Sequence, residues 1–131
     1  MLSFKKFLPG IAWFFLVLIL LCLPGDDIPK GEGWMDLVMF DKWVHIGLFG
    51  VLGFLFMLPV GKASFPKKQK RFLFARIAVS VSIWGLALEF VQKYYIPGRS
   101  FDLLDWAADS LGALLAFIAA VKLFLKEKRI Q

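Results

Sequence analysis

The sequence predicts an all-α fold, an integral membrane four-helix bundle with both termini in the cytoplasm. Hydrophobic residues make up 60% of the 131 residues and charged residues only 20%. The mean hydropathy of +0.72 is higher than a soluble domain of this length would show. Four apolar runs each approach the roughly 20 residues that cross a bilayer. Basic residues alternate between the ends of successive runs, as the positive-inside rule describes.

The four runs divide the chain into spans that fill a single domain, residues 1–131. The first span is predicted at 7–23, where Pro24 and Gly25 end it. A removable signal peptide is the alternative for this segment, but no small-residue cleavage pattern follows it. An outer loop at 24–40 carries four acids and Trp34, which suits a membrane interface. The second span is predicted at 43–60, ended by Pro59 and Gly61, the third at 72–92 and the fourth at 103–125.

The basic residues explain the net charge of +6 as a topology signal. Twelve of the sixteen lie at the presumed cytoplasmic ends of the spans: Lys5, Lys6, Lys62, Lys67, Lys68, Lys70, Arg71, Arg76, Lys122, Lys126, Lys128 and Arg129. Such clusters also meet anionic lipid headgroups. Membrane lipids are therefore the expected partners, and nucleic acid is not. The single cysteine, Cys22, rules out an intrachain disulfide.

The acidic residues indicate where function resides. Nine of the ten fall in segment 26–41, at Glu89, or in the early part of the fourth span. Because an acid near hydrocarbon is costly, acids that converge from several spans indicate a functional site. The candidate ligand-binding residues are Asp41, Lys42, His45, Glu89, Gln92, Arg99, Asp102, Asp105 and Asp109.

Helical spacing predicts how these residues meet. Asp41 and His45 are four apart on the second span, while the three acids of the fourth span follow i, i+3, i+7 and share one stripe. We expect direct or water-bridged contact between Asp41 and His45, and between Arg99 and either Glu89 or Asp105. Other interpretations remain open: Asp41 and Asp102 as helix caps, Lys42 as a solvated interfacial side chain, and the buried acids as a structural ion-pair network with Arg99.

Three kinds of chemistry suit this set of residues. Acids and histidine are ligands for Zn²⁺ or Mn²⁺, but no fixed-spacing metal motif is present, so neither a metal nor a cofactor is predicted. Paired carboxylates beside an imidazole suit acid–base catalysis, with His45, Glu89 and Asp105 as catalytic candidates. Alternatively, the cations Lys42, His45 and Arg99 could bind the phosphate of a lipid headgroup.

The ordered motifs resemble the VanZ-like family over essentially the whole chain. They are Asp41-Lys42-x-x-His45, Glu89-x-x-Gln92, Pro97-Gly98-Arg99, and Asp102-x-x-Asp105-x-x-x-Asp109-x-x-Gly112. The family's polar positions match at Asp41, Lys42, His45, Glu89, Gln92, Arg99 and Asp105. The departure is Asp109, where the family pattern usually has asparagine; the extra acid favours a shared proton or a bound cation. The resemblance implies a small four-helix protein of the bacterial cytoplasmic membrane, whose founding member gives low-level resistance to the glycopeptide teicoplanin.

The predicted function is therefore a cell-envelope role with an outward-facing polar pocket. The preferred hypothesis is engagement of an amphiphilic, phosphate-bearing lipid or a glycopeptide-type ligand at the outer leaflet. An intramembrane transferase or hydrolase acting on a lipid-linked envelope substrate is the first alternative. A structural bundle that binds a protein partner through its small-residue faces is the second.

Overall fold

The computed structural model describes residues 2–24 and 40–126, and these ranges contain helices and turns and no strand. The predicted outer loop, with Trp34 and its acids, lies outside the described residues, apart from its two ends. A 3₁₀ turn at Phe4–Phe7 leads into α1 (Leu8–Leu21), which is followed by α2 (Phe40–Lys62), α3 (Lys67–Tyr95) and α4 (Leu103–Phe124). The all-helical prediction is confirmed. Four helical segments are long and apolar enough to cross a membrane.

The helix ends show which local signals act here. Pro9 lies in the first turn of α1, where its missing N–H group costs nothing. Asp102 caps α4 by accepting a hydrogen bond from the Leu104 amide at 2.9 Å, so the capping interpretation is confirmed for this residue. Gly98 has φ of 75° in the turn between α3 and α4, a conformation that glycine adopts at little cost.

The prediction that Pro59 and Gly61 end the second span is wrong, because α2 continues to Lys62 with Pro59 inside it. The ammonium group of Lys70 donates a hydrogen bond to the Gly61 carbonyl at 2.7 Å, which satisfies one of the carbonyls left free at the helix end. Helix α3 is also longer than predicted. Its polar first turn, from Lys67, consists of good helix formers that lie outside the apolar run.

The contacts between helices establish an alternating bundle. Helices α2 and α4 run parallel, because their contacts follow the same order along both helices. The contacts are Lys42 with Asp105, Gly50 with Gly112, and Gly53 with Ala116. The order is reversed between α3 and α4, as at Ser82–Ser110 and Glu89–Asp102. It is also reversed between α1 and α2, where Gly10 lies against Phe56 and the Trp13 indole donates to the Leu48 carbonyl. Neighbouring helices in the chain therefore alternate in direction.

The closest packing joins α2 to α4 and depends on Gly112. A Cβ at this position would lie 2.5 Å from the Ile46 carbonyl oxygen and 2.8 Å from the Gly50 nitrogen. The two backbones therefore touch, as small residues permit in membrane bundles. This contact brings the first turns of α2 and α4 side by side, next to the end of α3. The three helix ends hold the polar residues.

Candidate functional site

Lys42 is the centre of the outer part of the cluster. Its Nζ atom donates to Asp41 Oδ2 at 2.7 Å, to Asp102 Oδ2 at 2.6 Å and to Asp105 Oδ1 at 2.5 Å. An ammonium group has three donors, so all of them are used. The Lys42 side chain is only 15% exposed. The interpretation of Lys42 as a solvated interfacial residue is therefore wrong, because three carboxylates draw its ammonium group into the bundle end.

Asp102 joins three elements of the site. Its carboxylate receives Lys42 and caps α4, while its own amide donates to Glu89 Oε2 at 3.0 Å and so attaches the end of α3. Partial burial acts to raise the pKa of the Asp102 carboxyl. The hydrogen bonds from Lys42 and from the Leu104 amide outweigh that effect and hold the pKa below its ordinary value.

A histidine–aspartate pair forms the inner part of the cluster. His45 Nδ1 lies 2.7 Å from Asp109 Oδ1, and both residues are buried. When Asp109 is ionised, its carboxylate can only accept, so the ring donates from Nδ1. The other ring nitrogen, Nε2, lies 3.7 Å from Asp105 Oδ2. The imidazole thus connects the buried Asp109 to the outer group of acids.

The second oxygen of Asp109 has an unusual environment. Oδ2 is buried and has no hydrogen-bond partner among the described residues. It lies against Gly85 of α3, where a Cβ would be only 2.7 Å away. Glycine at position 85 therefore makes room for the carboxylate of Asp109.

Two groups of side chains have the composition of metal ligands. Asp41, Asp102 and Asp105 form one, but the ammonium group of Lys42 already lies among them. His45, Glu89 and Asp109 form the other, with candidate ligand atoms within 4.8 Å of one another. Two ligands about 2.1 Å from a tetrahedral zinc stand about 3.4 Å apart, whereas His45 and Asp109 are 2.7 Å apart. The geometry of that pair is a hydrogen bond between an acid and a base.

Gln92 and Arg99 lie at the same end of the bundle but attach to α1. Gln92 Nε2 donates to the Leu21 carbonyl at 2.7 Å, and Arg99 Nε donates to the Leu23 carbonyl at 3.2 Å. Within residues 2–24 and 40–126, no ion pair joins Arg99 to Glu89 or Asp105. Direct contact of Arg99 with these acids is therefore not formed, because the cation that meets the acids is Lys42. Direct contact between Asp41 and His45 is likewise not formed among the described residues: Asp41 pairs with Lys42, and His45 with Asp109.

A layer of hydrogen bonds between α3 and α4 was missed as part of the site. The hydroxyl groups of Ser82 and Ser110 are 2.7 Å apart, and the Trp106 indole donates to the Ser82 carbonyl at 3.0 Å. Trp106 is half-buried, and its indole hydrogen bond joins α4 to α3. Ser110 follows Asp109 directly in the sequence, and this adjacency is the signal that could have pointed to it as a neighbour of the site.

The cluster as a whole has a gradient of exposure. The side chain of Asp41 is 63% exposed and that of Asp102 39%, while Asp105 is at 12% and Asp109 at 1%. Four carboxylates share one lysine and one histidine, and a fifth, that of Glu89, accepts from the backbone amide of Asp102. The site is therefore rich in acceptors and open at one end.

Comparison of the chain with protein-family models, curated proteins and solved structures gave no match. The VanZ-like resemblance accordingly stays a prediction, carried by the motif residues.

Proposed function

We propose that this chain is a VanZ-like protein of the bacterial cytoplasmic membrane. In this proposal it engages the headgroup of an amphiphilic ligand, a lipid or a lipid-like glycopeptide, at the outer leaflet. The observation that supports it is the graded cluster, in which acids from α2, α3 and α4 meet at one end of the bundle and remain accessible at Asp41 and Asp102. Charged groups this close to the hydrocarbon are costly and usually serve a function.

The orientation follows from charge. The basic residues that the sequence clusters at alternate ends of successive spans would be cytoplasmic. The acidic cluster lies at the opposite ends of α2, α3 and α4 and therefore faces outward. Both termini are cytoplasmic in this topology, and the ligand reaches the cluster from outside the cell.

The geometry favours a ligand with hydrogen-bond donors over a phosphate. All three donors of Lys42 are used by carboxylates, and the Nε atom of Arg99 donates to α1. Acceptor oxygens outnumber donors throughout the cluster. A headgroup that carries an ammonium or several hydroxyl and amide groups would complement it, because charge-assisted hydrogen bonds to carboxylates are strong. The proposed ligand is therefore one whose headgroup carries hydrogen-bond donors, in place of the phosphate-bearing ligand expected from the sequence.

A second candidate function is acid–base catalysis on such a ligand. The His45–Asp109 pair supports it, since a buried aspartate that accepts from one ring nitrogen orients an imidazole to take a proton at the other. Nε2 of His45 is directed towards Asp105, the acid nearest the opening among the buried members. His45 would act as the base and Asp105 or Glu89 as the acid.

The decisive experiment compares cells that express the wild type, Asp105→Asn and His45→Gln at equal membrane levels. Teicoplanin susceptibility and the envelope lipid profile are the measurements. Lys93→Gln is the matched control, because Lys93 is an exposed cation at the same end of α3. We expect wild type and Lys93→Gln to shift susceptibility alike, and Asp105→Asn to abolish the shift.

The lipid profile distinguishes the two candidates. Binding alone leaves the profile unchanged in every strain, whereas catalysis gives a lipid species that is present with wild type and lost with His45→Gln. If the wild type has a phenotype and both site variants retain it fully, the cluster is a scaffold and the proposal fails.

A further inference from the structure

A second concave surface lies on the side of the bundle, away from the charged cluster. Helices α1, α2 and α3 enclose a groove of about 420 Å³ whose wall is almost entirely apolar: Phe14, Leu52, Phe56, Ile77, Val81 and Trp84. The residues of α3 along it recur every three or four positions from Leu73 to Trp84, so they form one stripe about 16 Å long. That length is about half the hydrocarbon thickness of a bilayer. The groove therefore has the dimensions of a site for one acyl chain.

One cation lies in this otherwise apolar groove. Arg76 of α3 lines it and is exposed. Among the described residues no carboxylate forms an ion pair with Arg76. The described acids of the site all lie at the other end of the bundle, while Lys70 and Arg71 lie close to Arg76 in the sequence. The local field at this end of the groove is positive.

We propose that this groove binds one anionic glycerophospholipid, with an acyl chain along the apolar wall and the phosphate on Arg76. A guanidinium group matches a phosphate through two parallel hydrogen bonds, and basic pockets between spanning helices are typical sites for anionic headgroups. In the orientation proposed above, the lipid comes from the cytoplasmic leaflet. The choice of lipid class does not depend on that orientation.

Trp84 provides a direct probe of the occupant. Its indole packs on Phe14, with ring centroids 4.9 Å apart, and its Nε1 atom is buried without a hydrogen-bond partner in the described part of the chain. An acyl chain in the groove would contact this ring. A brominated acyl chain would therefore quench its fluorescence at short range.

The test uses the full chain in detergent, titrated with phosphatidylglycerol or phosphatidylcholine of identical acyl chains and followed by native mass spectrometry. We expect one phosphatidylglycerol to bind with a preference of about tenfold, as one charge-assisted contact provides. Arg76→Gln should remove the preference. Arg71→Gln is the matched control, because Arg71 is exposed on the same helix but does not line the groove.

Quenching by brominated phosphatidylglycerol then locates the chain. The wild type should lose more fluorescence than Trp84→Phe, because the other tryptophans of the described residues, Trp13, Trp43 and Trp106, do not line the groove. Equal binding of the two lipids, or an equal loss of preference in Arg71→Gln, would overturn the proposal. Quenching that is unchanged in Trp84→Phe would also overturn it, because the lipid would then lie elsewhere.

Discussion

At the residue scale, Lys42 determines how so many acids coexist at one end of the bundle. Asp41 is its neighbour in α2, while Asp102 and Asp105 come from the start of α4. Without the ammonium group, three carboxylates would face one another in a partly buried place. Such a group of like charges would repel, and each acid would lose its strongest hydrogen bond.

Lys42→Met should therefore destabilise the protein by about 2–3 kcal/mol. Breaking a fully buried pair costs about 3–5 kcal/mol, and the 15% exposure of the Lys42 side chain reduces that figure. The measurement is thermal unfolding in detergent, with Lys93→Met as the exposed control. Adding Asp105→Asn to Lys42→Met should recover part of the loss, because one unpaired charge is then removed. A double variant that loses stability additively would contradict the role given to Lys42.

Asp102 should make the stability depend on pH in the acid range. Its pKa is lowered in the folded protein, so its ion pair stabilises the fold above the ordinary pKa of an aspartate, about 3.9. That contribution is lost as the pH falls through the lowered value. Asp102→Asn keeps a good helix cap and removes only the charge. Thermal unfolding should show wild type more stable than Asp102→Asn at pH 7, and the difference should shrink as the pH falls below the ordinary pKa of an aspartate. A difference that stayed constant with pH would refute this account.

Which residues share a face could be predicted from spacing, but their partners could not. The i, i+3, i+7 pattern placed Asp102, Asp105 and Asp109 on one side of a helix, and the structure brings all three to the site. Partner choice depends on helix rotation and on where the turn after α3 carries Arg99, which periodicity does not contain. The guanidinium group of Arg99 consequently lies near the end of α1. Lys42 makes the contacts with acids that were predicted for Arg99.

At the element scale, glycines fix the separation between the helices that carry the site. Gly112 lets α4 touch the backbone of α2, and Gly85 lets α3 approach Asp109. The sequence marked these positions as small but could not say which of them touch another helix. Gly47 lies three residues before Gly50 in α2, yet within the described residues no atom of another helix lies within 4 Å of where its Cβ would be. A lone pattern of small residues therefore overpredicts contact.

Gly112→Ala should separate α2 from α4. The added methyl would overlap the Ile46 carbonyl, and backbone atoms cannot move aside as a flexible side chain can. Overpacking of this kind costs roughly 1–3 kcal/mol. Gly47→Ala is the control, for which the gain in helix propensity predicts a neutral or slightly stabilising effect. Unfolding in detergent compares the two variants, and equal stability of both would show that the α2–α4 contact is looser than described.

The helix limits show what a local signal predicts inside a bundle. Proline and glycine near the end of the second run predicted that the helix ends there, but α2 continues to Lys62, and Lys70 of the next helix donates to the Gly61 carbonyl. Because this hydrogen-bond donor belongs to the next helix, the residues around the end of α2 could not predict the contact.

At the scale of the whole molecule, alternating helix directions place the ends of α2, α3 and α4 that hold the acidic cluster on one side. The basic ends of α2 and α3 lie on the other side, near the groove with Arg76. The protein thus has an acidic end and a basic end joined by apolar helices. Under the positive-inside rule this polarity assigns the basic end to the cytoplasm.

Labelling of cysteines at the two ends of α3 tests this orientation. The helix has 29 residues and is about 43 Å long, which exceeds a hydrocarbon core of roughly 30 Å, so both ends reach the aqueous phase. Cys22 is first replaced by alanine, because it is the only native cysteine. Lys93→Cys and Lys68→Cys are then introduced separately, both at exposed positions.

In sealed right-side-out vesicles a membrane-impermeant maleimide should label the 93 position. The 68 position should react only after the membrane is permeabilised, although a permeant maleimide reacts with both. The opposite pattern would turn the acidic cluster towards the cytoplasm and remove the outer-leaflet ligand from the proposal, whereas labelling of both ends in sealed vesicles would mean that α3 does not cross the membrane.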